Sequence, residues 1–213
     1  MKTRTRFVIV LISALLTPAA SLAQDAAPPS SPQTDTRGRV VDAVQFLAGG
    51  ALGLAMHESG HLIVDGMFDA QPRLEGIRFG PFPFFAITHN ANVSPRREFT
   101  ISSAGFWVQS LSSEWLLTRD RLREEHAPVA KGVLAFNVLD SVGYAAVALA
   151  KAGPVERDTR GMASGIDVDE RAVALVVLAP AAFDAYRYFH PDARWAVWAS
   201  RIAKIGSVAL VVK

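Results

Sequence analysis

Two histidines four residues apart, His57 and His61, are the residues of this chain whose types and spacing most clearly indicate chemistry. They lie in an apolar segment, and Glu58 directly follows the first histidine. In a helix, residues at i and i+4 share a face, so both imidazoles could bind one Zn²⁺ at about 2.0–2.1 Å. Glu58 would then be placed to take a proton from a water on that metal. The motif therefore predicts a zinc hydrolase with Glu58 as general base.

The metal would need a third ligand from elsewhere in the chain, because a catalytic zinc site has three protein ligands and keeps one position for water. The residues that could supply it are Asp140, Glu114, Asp184, Glu98 and His89. In a soluble enzyme Glu114 is the natural choice, whereas a membrane-embedded enzyme would use Asp140, which is central in an apolar segment. The competing interpretation of the motif is a polar patch on an otherwise buried helix.

Composition limits the class of protein. The chain has 213 residues, of which half are hydrophobic and a fifth charged, with a net charge of +2 and no cysteine. The length predicts one domain, and the apolar composition leans toward a membrane protein. The small net charge gives no indication of a nucleic-acid partner. Without cysteine, a thiolate metal site, a catalytic cysteine and a disulfide framework are all excluded.

The N-terminal residues predict export. Residues 1–23 have a basic start, an apolar core and a small-x-small end at Ser21-Leu22-Ala23, which is the layout of a secretory signal peptide. Residues 24–38 are rich in Pro, Ser, Thr and Ala and predict a disordered linker. The folded domain is therefore expected over residues 39–213. Its expected location is a bacterial-type inner membrane, with the periplasm as the alternative.

Long apolar segments predict a mainly α-helical, multi-span membrane bundle. These segments are residues 40–68, 98–118, 129–150, 172–189 (with a kink at Pro180) and 194–212. As a helix the first would be about 43 Å long, enough to cross a bilayer with tilt. Residues 74–80 and 84–88 read as short strands, which predicts a small β-hairpin-like insert after the metal-binding helix. Residues 119–128 and 151–171 are expected to be polar connections.

Several other residues within or beside these segments are expected to support the metal site, to face solvent or to allow close helix packing. Asp65 lies one turn after His61 and could support that histidine, or end the helix in water. Asn137 and Asp140 would share a face of the third apolar segment. His89 lies in a polar stretch and is expected to be a solvated loop histidine. Four glycines of the first segment would permit close helix packing, namely Gly49, Gly50, Gly53 and Gly60.

Three further stretches accompany the histidine motif in a recognisable order. They are the strand-rich insert LEGIRFGPFPFFAITH, the sequence Ser94-Pro95-Arg96-Arg97-Glu98-Phe99 leading into Ile101-Ser102-Ser103-Ala104-Gly105, and Phe136-Asn137-x-Leu139-Asp140. In this order the chain resembles the site-2 proteases, zinc metalloproteases embedded in membranes, over roughly residues 40–150. Phe106 and Ser141 stand where that family has Pro and Gly.

The resemblance implies a function and a set of site residues. It implies that Zn²⁺ is held by His57, His61 and Asp140, that Glu58 is the general base, and that Asn137 orients substrate or stabilises the oxyanion. The implied substrates are transmembrane or membrane-adjacent polypeptides cleaved within the bilayer. Two alternatives stay open: a soluble or peripheral exported zinc metallopeptidase with Glu114 as third ligand, and a catalytically inactive membrane protein that binds or assembles a partner.

Overall fold

The computed structural model describes residues 33–79, 81–90, 92–119, 122 and 127–209. The predicted signal peptide lies outside the described residues, as does the predicted linker before residue 33. The chain divides into two units after Thr36, and the second unit is Arg37–Lys213.

The described part of the chain is mainly helical with one antiparallel pair of strands, as predicted. The elements are α1 (Gln33–Phe68), β1 (Arg73–Phe79), β2 (Phe82–Thr88), α2 (Pro95–Leu117), α3 (Pro128–Ala150), α4 (Asp158–Ile166), α5 (Glu170–Phe189) and α6 (Arg194–Ala209). The strands pair in a hairpin from Arg73 opposite Thr88 to Phe79 opposite Phe82. Helix α5 continues through Pro180.

Two helices differ from the sequence expectation. Helix α1 begins at Gln33, so residues 33–38 of the predicted linker are helical. A residue added to the end of an existing helix gains a hydrogen bond even when it buries no apolar side chain. Because these residues are polar and lack an apolar pattern, composition did not indicate that they are helical. Helix α4 lies inside the predicted polar connection 151–171. Its apolar content is small, yet Met162 and Ala163 are buried in the core with Phe99 of α2.

Glycine contacts bring α1 close to both of its neighbours. A Cβ on Gly49 would collide with the Val129 carbonyl of α3, and a Cβ on Gly60 would lie 2.6 Å from the Ala104 oxygen of α2. The predicted packing role is therefore confirmed at these two glycines. Gly53 lies against the Phe136 ring in the same way, whereas Gly50 has no neighbour within 4 Å of the position its Cβ would take.

Among the residues that the structure describes, three helices are long and apolar enough to cross a membrane: Thr36–Phe68, Pro128–Ala150 and Glu170–Phe189. Helix α2, which was also predicted to span, is not among them because it carries many polar residues. Several of those residues are buried: Ser103 and Ser113 have at most 1% of their surface exposed, and Gln109 has 3%. Polar side chains of this kind pair within the bundle, so α2 is a central helix that presents hydrogen-bonding groups to its neighbours.

Candidate metal centre

The two motif histidines lie on the buried face of α1. His57 is 2% exposed and His61 is 5% exposed. Because they are one helical turn apart, their rings meet, and the two Nε2 atoms are 3.1 Å apart. The predicted convergence of these imidazoles is therefore present in the fold.

Asp158, the first residue of α4, completes a group of three. Its Oδ2 lies 3.1 Å from Nε2 of His57 and 3.3 Å from Nε2 of His61. Ligands at about 2.0–2.1 Å from a tetrahedral zinc are separated by about 3.4 Å, so these three atoms fit three corners of such a site. Within the described residues, His57, His61 and Asp158 form the group that could hold a metal ion.

Asp140, which the resemblance implied as third ligand, lies at a different edge of the His57 ring. Its Oδ2 is 3.7 Å from Nδ1 of His57, and it accepts a hydrogen bond of 2.7 Å from Nε2 of Gln109. The Nε2 atoms of the histidines converge on Asp158 instead. Asp158 lies 101 positions after His57, in a helix that composition did not reveal, and the ligand role expected for Asp140 stays a prediction.

The ring nitrogens that do not face Asp158 have partners of their own. Nδ1 of His61 lies 2.9 Å from the Ile101 carbonyl oxygen. A carbonyl only accepts, so Nδ1 carries the proton and the Nε2 lone pair is left for a metal. Nδ1 of His57 is buried with no hydrogen-bond partner among the described residues, and Asp140 is the carboxylate facing it. The carbonyl contact of His61 resembles the outer hydrogen bonds that orient metal-bound histidines, whereas Asp140 faces His57 from beyond hydrogen-bond distance.

Packing holds the His57 ring in place. A Cβ on Gly105 of α2 would lie 2.5 Å from Nε2 of His57, so only glycine leaves room for the imidazole there. The Phe106 ring meets His57 edge-on at 5.4 Å between centroids, and the Tyr144 ring stacks on it at 6.0 Å. The imidazole is therefore held by α2 and α3 as well as by its own helix.

The electrostatics around Asp158 favour the charged carboxylate. Burial alone would raise the pKa of the Asp158 carboxyl, but its contacts with His61 and His57 hold that pKa well below the usual range. An ionised carboxylate beside two imidazoles is the donor set of a zinc site with one His pair and one acid. The chemistry of the three side chains therefore fits the ion that the motif predicts.

A cavity of about 470 Å³ opens beside the three residues. Glu58, which is half-buried, lines it together with Asp140 and Tyr144. Strand β2 contributes Phe85, Ala86 and Ile87 to the wall, and the segment before α4 contributes Pro154, Glu156 and Arg157. The space can hold a small ligand or a stretch of peptide next to the group of three.

Asp65 and His89 differ from the sequence expectations. Asp65 is 0% exposed, and neither carboxylate oxygen has a hydrogen-bond partner among the described residues. It faces His89, whose Nδ1 is 4.0 Å from Oδ1, and so it does not support His61. The expected solvated loop histidine is wrong: the His89 side chain is 14% exposed and its Nε2 lies 2.7 Å from Glu98.

The remaining candidate residues are engaged elsewhere. Nδ2 of Asn137 lies 2.9 Å from the hydroxyls of both Ser112 and Ser113, which makes it a link between α3 and α2. Glu114 pairs with Arg187 at 2.6 Å, and Asp184 accepts a hydrogen bond of 2.6 Å from Ser200. The structure therefore does not bring Glu114 or Asp184 into the histidine group, and it gives Asn137 a packing role.

Asp158, Tyr144 and Gly105 are the site residues that sequence reasoning did not single out for the metal. A signal for Asp158 existed, because Thr159, Met162, Ala163 and Ile166 follow it at helical spacing. That pattern predicts a short amphipathic helix with an acid in its first turn.

Comparisons of the chain with protein-family models, curated proteins and solved structures give no match.

Proposed function

We propose that this protein is a membrane-embedded zinc endopeptidase in which His57, His61 and Asp158 hold the metal and Glu58 is the general base. The observation that carries the proposal is the convergence of three donor atoms, two imidazole Nε2 and one carboxylate oxygen, at separations of 3.1–3.3 Å. The cavity beside them, lined by Glu58, offers a place for the substrate.

Zn²⁺ held by these residues would polarise a carbonyl and lower the pKa of water toward about 7. The chain's own contribution to proton transfer is Glu58. Because it follows His57 on α1 and lines the cavity, its carboxylate can accept a proton from the attacking water and return it to the leaving amine. Asp140 is placed to hold the His57 ring through Nδ1, which orients the opposite nitrogen toward Asp158.

The cavity supports an extended peptide as substrate. A helical segment hides its carbonyls in its own hydrogen bonds, so a transmembrane substrate must unwind before the peptide bond can be attacked. Residues of β2 form part of the cavity wall, where a strand can pair with an extended chain. Deleting the insert at residues 74–88 should therefore abolish cleavage while zinc binding survives. Unchanged cleavage by that deletion variant would exclude this role.

Placement in a membrane is supported by the three apolar helices, two of which carry proposed site residues. Helix α1 bears His57, Glu58 and His61, and α3 bears Asp140. Charged and polar groups at membrane depth normally face a bundle interior or a cavity, as these do. The exported N-terminus and the inner membrane as location remain predictions from the sequence.

The test measures zinc and cleavage separately. The full chain is purified in detergent, its zinc is measured by mass spectrometry, and cleavage is assayed on single-span model peptides in micelles and on unfolded casein in buffer. We expect one zinc per chain, lost in His57→Ala and kept in Glu58→Gln. The glutamine variant should lose roughly 10²–10⁴-fold in cleavage rate, the usual contribution of a general base.

Each alternative predicts a different result from these assays. A protein that stays soluble and active without detergent would exclude the membrane placement. Stoichiometric zinc without cleavage of any peptide would favour the catalytically inactive binding protein. If zinc is absent from the wild-type chain and cannot be loaded, the metal site itself is excluded.

A further inference from the structure

Helix α6 has its polar face turned toward the protein and its apolar face turned outward. Ser200 and Lys204 are buried, at 0% and 8% exposure. The outward face carries four large apolar side chains at i, i+3, i+7 and i+10, with exposures of 57–69%: Trp195, Trp198, Ile202 and Ile205. A helix on the surface of a water-soluble domain has the opposite arrangement.

The inward face makes charged contacts with two neighbouring helices. Nζ of Lys204 lies 2.8 Å from Asp184 of α5 and 3.1 Å from Glu114 of α2. Nε of Arg201 lies 2.8 Å from Glu114 as well. These pairs fix which side of α6 faces the protein. The outward direction of the apolar stripe is therefore fixed by the packing of the helix. Changing the rotamers of its side chains would not turn the stripe inward.

The surroundings of the stripe indicate what covers it. Helix α6 packs along α5, one of the three helices able to cross a membrane. Where α5 ends and α6 begins, the Tyr186 ring lies 5.0 Å from Trp195 and stacks on His190 at 4.2 Å. Aromatic side chains of this kind concentrate at the membrane–water boundary. Leu111 and Trp115, on either side of Glu114 along α2, are also exposed, at 72% and 59%, so the apolar surface continues beyond α6.

We infer that the outward face of α6 is in contact with the acyl chains of the lipid bilayer. This inference rests on the membrane placement in the proposed function. The 16 residues of α6 span about 24 Å, against the roughly 30 Å of the hydrocarbon core, so this length of helix enters the bilayer from the aromatic boundary and lies within it. Lys204 is tolerated there because it is buried against Asp184 and Glu114, whereas Arg201, whose side chain is 41% exposed, lies at the edge of the stripe and keeps Glu114 as its partner.

Tryptophan quenching by brominated lipid tests the inference. The zinc-loaded full chain is placed in phosphatidylcholine nanodiscs with or without bromine at mid-chain, using variants that keep a single tryptophan and carry Phe at the others. Trp198 should lose most of its fluorescence in brominated lipid. Trp107, which is partly buried against the core, is the matched control and should be unaffected. Leu52→Trp, on the exposed face of α1, is the positive control for a candidate span.

The outcomes separate this inference from the proposed function. Quenching at Leu52→Trp without quenching at Trp198 would overturn the lipid contact of α6 and leave the membrane enzyme intact. If neither is quenched, the membrane placement fails and the lipid contact with it, while zinc binding stays measurable. Because the chain has no native cysteine, Ile202→Cys also tests whether two copies of the chain meet at this face. Disulfide-linked dimers at that position, with Trp198 unquenched, would assign the face to self-association.

Discussion

At the scale of the residue, two carboxylates approach the same imidazole from different sides. Asp158 lies 3.1 Å from Nε2 of His57, and Asp140 lies 3.7 Å from Nδ1. An imidazole that binds a metal through one nitrogen commonly has its other nitrogen oriented by a carboxylate. Under the proposed function, Asp158 would be the metal ligand and Asp140 the residue that positions His57.

The division of roles predicts unequal effects on zinc affinity. Asp140→Asn should weaken zinc binding by roughly 10–100-fold, as is usual when an outer partner of a ligand is lost. Asp158→Asn removes the ligand charge and should lower affinity further, to the point where zinc does not survive dialysis. Competition with a chromogenic chelator measures both variants. The reverse order would return the ligand role to Asp140.

Gly105 provides a second test at the scale of the residue. A side chain there would displace the His57 imidazole, since the Cβ position is 2.5 Å from Nε2. Gly105→Ala should therefore lower zinc affinity by roughly the same 10–100-fold, through the altered ring position. Gly50→Ala is the matched control, because no atom lies within 4 Å of its Cβ position. The control should keep its zinc and gain up to about 1 kcal/mol in helix stability.

At the scale of the element, the β-hairpin is tied to the helices by His89 at its end. The His89 ring lies between Asp65 of α1 and Glu98 of α2. The hydrogen bond that His89 donates to Glu98 raises the pKa of His89 above its usual value, and the same bond lowers the pKa of Glu98. The pair therefore stabilises the fold when His89 is charged and Glu98 is ionised.

The sign of these shifts predicts how stability depends on pH. The contribution of His89 is complete below its ordinary pKa of 6.5 and is lost as pH rises through the higher pKa of the folded state. The contribution of Glu98 is present above 4.5 and is lost as pH falls through its lowered pKa. The pair is therefore most stabilising near pH 5.5.

A comparison of melting temperatures tests this expectation. His89→Gln should lower the melting temperature most at about pH 5.5, with a difference from wild type that shrinks as pH rises through the raised pKa of His89. His190→Gln, at an exposed histidine whose ring stacks on Tyr186, is the control. A pH-independent difference at His89 would show that its packing matters and its charge does not.

At the scale of the whole molecule, a buried ion network joins α2, α5 and α6. Arg187, which is 4% exposed, lies 2.6 Å from Glu114 and 3.4 Å from Asp184. Lys204 bridges the same two acids. Arg187 donates hydrogen bonds to Glu114, Asp184 and Ser200, so its loss would remove several charge-assisted hydrogen bonds from a poorly solvated place, although Lys204 would still contact both acids.

This network predicts a large effect at Arg187. Arg187→Leu should lower the free energy of unfolding, measured by titration with a denaturing detergent, by about 3–5 kcal/mol, because it loses at least two charge-assisted hydrogen bonds worth about 1.5–3 kcal/mol each. Lys151→Ala is the control: its pair with Asp169 is about half exposed, so its loss should cost at most about 1 kcal/mol. Equal effects of the two substitutions would contradict the burial of the network.

The sequence by itself determined the local parts of this protein. The spacing of His57 and His61 brings two imidazoles together in any α-helix, because one turn is 3.6 residues. The long apolar segments and the alternating insert likewise specified helices and a hairpin through their own periodicity. None of these features depends on where the rest of the chain goes.

Only the tertiary structure decided which residues meet across elements. Asp158 reaches the histidines because α4 packs on α2. Nothing in the sequences of these two segments predicts that they are in contact. The same is true of the pairing of Asp65 with His89 and of the outward apolar face of α6. A carboxylate looks alike in a sequence whether it ends as a ligand, an ion pair or a solvated group. Its role follows from the atoms that the fold places within a few ångströms of it.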